Sequence, residues 1–122
     1  MVRWTFAWLA ALAVASQAAP LPLRTLTRPC EGGAARLKLQ LGRLARGVEV
    51  VVYSEDGRLI GTAAPFALRS GQEAGTYQFA LPEALFRNGR IGLRLSAKQY
   101  GVAERAPTST EVKDIAVICA LR

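Results

Sequence analysis

Val48-Glu49-Val50-Val51-Val52-Tyr53-Ser54-Glu55-Asp56-Gly57-Arg58-Leu59-Ile60-Gly61-Thr62-Ala63 is the stretch that decides the fold class. Its first six residues are rich in β-branched apolar side chains, which suit a pleated, half-buried surface. Asp56-Gly57 supplies the positive φ that a tight hairpin turn demands, and residues 58–63 return as the second arm.

The segments on either side extend the pattern. Residues 35–41 alternate, with Leu37, Leu39 and Leu41 on one face and Arg36, Lys38 and Gln40 on the other. Their composition favours helix, and Leu37, Leu41 and Leu44 also fit a helical stripe. The strict period of two and the flanking glycines predict a strand. Residues 76–81 alternate with Tyr77, Phe79 and Leu81 inward. Residues 82–88 read as one helical turn, opened by Pro82 and closed at Asn88-Gly89. Residues 90–98 place Ile91, Leu93, Leu95 and Ala97 in the core. A polar loop through Pro107-Thr108-Ser109-Thr110 leads to a last strand, 112–121, with Ile115, Val117 and Cys119 on one face. Ahead of all these, the prolines at 20, 22 and 29 exclude helix from 20 to 29 and leave an extended leader, with edge-strand character at Thr25-Leu26-Thr27. Six or seven strands at short spacing predict an all-β antiparallel sandwich whose first and last strands lie side by side.

Within this frame, Val50 to Ala63 (strand, Asp-Gly turn, then Ile60-Gly61-Thr62-Ala63) followed by Gly75-Thr76-Tyr77 and a strand ending at Leu81-Pro82 resembles the bacterial immunoglobulin-like domains of exported and surface proteins. The likeness spans about residues 47–97 and rests on structural motifs. It implies an immunoglobulin-like sandwich with a binding, spacing or assembly role.

The N-terminus sets the destination. Arg3, the apolar run from Trp4 to Ala15 and the small residues Ser16-Gln17-Ala18-Ala19 follow the order of a secretion signal. The apolar run is shorter than the roughly 20 residues that a membrane span requires. Cleavage after Ala18 puts Ser16 and Ala18 at the two small-residue positions; cleavage after Ala15 would use Ala13 and Ala15. The expected organisation is a signal over 1–18, an extended leader over 19–33 and a sandwich domain over 34–122. Losing Arg3 lowers the formal charge from +7 to +6. Such a charge biases a small domain towards anionic surfaces but lacks the dense Lys/Arg tracts of nucleic-acid binders. Cys30 and Cys119, the two cysteines of the chain, predict one disulfide in an exported protein. Thr27-Arg28-Pro29 is not a lipobox, and the cysteines are too far apart in sequence for a local metal or redox pair.

The chain has no histidine, so the commonest general base and metal ligand is missing. Glu55-Asp56 reads as turn chemistry and not as an opposed carboxylate pair. Ser96 and Lys98 have the spacing of a Ser-Lys dyad but read as two solvent-facing residues of a sheet. Glu111 and Asp114 flank the last strand, and the acids do not cluster as a calcium site requires. The expectation is a non-enzyme without metal or cofactor. Its partner is another exported protein, or an anionic envelope polymer met by a basic stripe of Arg36, Lys38, Arg90, Arg94 and Lys98. That stripe requires both basic strands to share one sheet. Tyr100 and Phe66 are the aromatic contact candidates near loops. Inhibition of an extracytoplasmic enzyme is a third reading.

Overall fold

The computed structural model describes residues 21–30, 33–65 and 72–119. The expected signal, Phe66 and residues 120–122 lie outside them. Among the described residues there are eight strands: β1 Leu23–Thr27, β2 Ala35–Arg43, β3 Glu49–Ser54, β4 Leu59–Ala63, β5 Glu73–Leu81, β6 Arg90–Gln99, β7 Val102–Arg105 and β8 Val112–Cys119. A 3-10 turn, Glu83–Leu85, precedes β6. The strands form two antiparallel sheets. One has the order β1-β6-β3-β4, with β7 also on β6; the other is β5-β2-β8.

β2 is the centre of the smaller sheet. Leu37 faces Phe79 on one side and Val117 on the other, and Leu39 faces Tyr77 and Ile115. Leu37, Leu39 and Leu41 have no exposed surface. The helix-prone composition of this segment is overridden because alternation lets one strand bury three leucines between two paired neighbours. β3 and β6 play the same part opposite: Val50, Val52, Ile91, Leu93 and Leu95 close the core against the β2 leucines. The hairpin between β3 and β4 turns on Gly57 at φ 92°. Ser54 Oγ donates to the Asp56 carboxylate and accepts the Arg58 amide at 3.0 Å, which locks the turn.

The edge-strand character expected at Thr25-Leu26-Thr27 holds and extends back to Leu23: β1 pairs with β6 from Leu23↔Arg94 to Thr27↔Arg90. Two other expectations change. The segment read as a loop after Tyr100 contains β7, which continues the edge of the larger sheet where β1 stops. Finally, the first and last strands do not lie side by side in one sheet. β1 borders one sheet and β8 the other, so the Cys30–Cys119 bridge, with Cα atoms 6.3 Å apart, joins sheet to sheet. At the opposite edge the Phe79 ring of β5 packs directly on Gly61 of β4.

Candidate functional site

The two basic strands fall in different sheets, which overturns the condition for one continuous stripe. Arg36 and Lys38 are on the outer face of the β5-β2-β8 sheet, where Arg36 Nε donates to Gln78 Oε1 at 3.1 Å. Arg90, Arg94 and Lys98 lie along β6 on the outer face of the other sheet. Register divides even this second set, because β6 runs from one end of the sandwich to the other.

Arg94 sits between the ends and is engaged. Its Nη1 donates to the Leu21 carbonyl at 2.6 Å and its Nε to the Glu55 carbonyl at 3.2 Å. It therefore holds the chain before β1 and the β3–β4 turn across the same face. Beneath that bridge β6 has Gly92. A Cβ there would stand 2.7 Å from Glu55 Oε1 and 3.1 Å from Leu23 Cδ1, so the absence of a side chain admits both neighbours.

Lys98 and Tyr100 belong to the far end, where β6 passes into β7 through Gly101 at φ 79°. Here Tyr100 is fully exposed (102 %) and Val102 is 56 % exposed. A cleft of about 480 Å³ lies beside them, lined by Gly47, Glu49, Lys98, Gln99, Tyr100, Val102 and Glu104. The tip is braced from behind. Ser96 Oγ donates to Glu104 Oε2 at 2.7 Å, and the Tyr53 hydroxyl donates to the same oxygen at 2.9 Å. These bonds tie β7 to its neighbour β6 and to β3 beyond it. Gln99 Nε2 reaches the Arg46 carbonyl at 3.1 Å from the neighbouring loop.

The network sets the local protonation. The Ser96 hydroxyl is the main cause that holds the Glu104 carboxyl below its ordinary value, with help from Tyr53 and Lys98 and against partial burial. Burial, and then Glu104, push the Tyr53 hydroxyl up. Ser96 is wholly buried and not solvent-facing, and its hydroxyl is taken up by the Glu104 carboxylate. It is a hydrogen-bond donor to a structural carboxylate.

Glu111 is the functional-looking acid whose role sequence reasoning missed. Arg105 of β7 forks onto it, Nη1 to Oε1 at 2.7 Å and Nη2 to Oε2 at 2.8 Å. Thr108 and Glu111 also bond reciprocally, the Thr108 amide to Oε1 at 2.9 Å and the Glu111 amide to Thr108 Oγ1 at 3.3 Å. The Thr-x-x-Glu spacing of a capping box was the available signal. The pair links β7 of one sheet to the start of β8 in the other. Among the described residues no three His, Cys, Asp or Glu side chains converge as a metal-binding group.

Comparison with family models, with curated proteins and with solved structures returned no match.

Proposed function

We propose that this chain is an exported protein-interaction module, periplasmic or secreted, that engages another exported protein through the β6–β7 tip. One observation carries the reading: Tyr100 stands wholly in solvent on a braced hairpin. An aromatic ring in that position contributes nothing to its own domain's core. It offers a large, nearly rigid anchor whose burial in a partner's pocket releases water at little conformational cost. Val102 widens the apolar contact, while Lys98, Glu49 and Glu104 line the cleft with charges of both signs. The disulfide supports a destination outside the reducing cytosol, and the resemblance to bacterial immunoglobulin-like domains supports a binding role without chemistry.

The test is affinity capture from an envelope extract with the disulfide-bonded mature chain and its Tyr100→Ala variant, followed by mass spectrometry. The proposal expects a partner retained by the parent chain and lost by the variant, with unchanged thermal melting of the bait. Equal retention by both baits would place the contact elsewhere.

A further inference from the structure

The other end of β6 carries a separate feature that the Tyr100 reading does not use. Arg87 and Arg90 flank Asn88-Gly89, whose φ angles of 52° and 74° are the two positive values of a type I′ turn. The Arg87 amide donates to the Arg90 carbonyl at 2.8 Å, and the Arg90 amide to the Arg87 carbonyl at 3.0 Å. This closed pair sets the two residues opposite each other, with side chains on the same side. The Arg28 amide donates to the Gly89 carbonyl at 2.8 Å and anchors the turn to the end of β1.

Two like charges held directly opposite cost stability. The ion pairs among the described residues are Arg28–Glu83, Arg105–Glu111 and Lys113–Glu73, and neither Arg87 nor Arg90 belongs to one. Both side chains line a cleft of about 710 Å³, together with Arg58, Arg94, Glu55 and Asp56. Arg94 is committed to two carbonyls and the Arg58 charge acts on the Asp56 carboxylate, so Arg87 and Arg90 supply the available guanidinium groups. The two acids sit on the β3–β4 turn and line the same cleft, with Glu55 Oε1 lying over Gly92 of β6.

We propose that this cleft binds an anionic saccharide, with its phosphate or carboxylate on the Arg87–Arg90 pair and its hydroxyls on Glu55, while Asp56, held by Ser54, adds negative charge beside it. The guanidinium fork matches either oxyanion through paired N–H donors. The carboxylates discriminate the rest of the ligand. Glu55 accepts hydrogen bonds from hydroxyls, whereas an acidic peptide would bring further negative charge against both acids. The volume exceeds that of a lone oxyanion and leaves room for a ring.

The experiment is an amide-resolved NMR titration of the disulfide-bonded mature chain with glucose 6-phosphate, glucuronate, glucose and inorganic phosphate. Saturable shifts at residues 55–58 and 87–92 with either anionic sugar support the site and identify its oxyanion. Glucose alone should give none, and inorganic phosphate should bind roughly tenfold more weakly or worse. Arg87→Gln with Arg90→Gln should weaken the sugar by roughly tenfold or more, with melting unchanged or raised because repulsion is relieved. Arg87→Lys with Arg90→Lys keeps the charge, loses the fork and should also bind less well. Tyr100→Ala should leave this titration unchanged, which separates the cleft from the hairpin tip. Absence of saturable shifts, inorganic phosphate binding as tightly as the sugars, or a double Gln variant that binds like the parent would each overturn the proposal.

Discussion

Cys30 and Cys119 join the borders of two different sheets: Cys30 follows β1 at the edge of one, and Cys119 ends β8 at the edge of the other. The same side of the sandwich is held at its opposite end by the Arg105–Glu111 fork. That side therefore has a covalent clasp at one end and an ionic one at the other. The bridged cysteines are 89 residues apart, and closing so long a loop stabilises by about 4–5 kcal/mol in the chain-entropy model. Replacing both cysteines with alanine should lower the denaturant midpoint in proportion, a large share of a small domain's stability. An unchanged midpoint would show that the sheets hold together without the bridge.

The ionic clasp should be visible in the pH dependence. The Arg105 guanidinium is the main cause that holds the Glu111 carboxyl below the ordinary glutamate value of 4.5. A depressed folded pKa means that the contribution is complete above the unfolded value and is lost as pH falls through the folded one. Glu111→Gln should cost about 1–3 kcal/mol at neutral pH, because the polar partners of a buried acceptor lose their charge-assisted bonds. Denaturation curves of parent and variant should converge as pH drops below 4.5. Parallel curves down to the acid transition would exclude this pair as a source of acid sensitivity.

At the other border, Gly61 is required for space. A Cβ there would lie 2.3 Å from Phe79 Cδ1. Gly61→Ala should destabilise by about 1–3 kcal/mol through overpacking. The cost should shrink in a Phe79→Leu background, since residues in contact couple. A double-mutant cycle by urea denaturation measures that coupling, and additive effects would contradict it.

Arg94 and Lys98, both solvent-side residues of one strand, should behave differently. Arg94→Ala removes two donors to backbone carbonyls and should cost about 1–2 kcal/mol. It should also speed amide exchange in β1. Lys98→Ala should stay within about 0.5 kcal/mol of the parent. Equal effects would mean that the Arg94 bridge is not maintained in solution.

Much of the fold is legible in single residues. Asp56-Gly57 announces its hairpin because few other residues tolerate that turn, and Ile91, Leu93, Leu95 and Ala97 name the buried side of β6 by parity alone. β1 and β7 were less legible. A proline-rich leader and a short polar segment gain strand geometry by pairing with β6, and that partner is remote from β1 in sequence.

The sequence by itself determined which apolar residues face the core, because the alternation of apolar and polar side chains is a local property that survives any arrangement of the strands. Only the tertiary structure decided which strands are neighbours. That choice put Arg36 and Lys38 on a different sheet from Arg90, Arg94 and Lys98, buried Ser96 with its hydroxyl on Glu104 and left Tyr100 bare. The physical reason is that strand order depends on contacts between distant segments. A side chain's parity fixes its face of the sheet but not what covers that face.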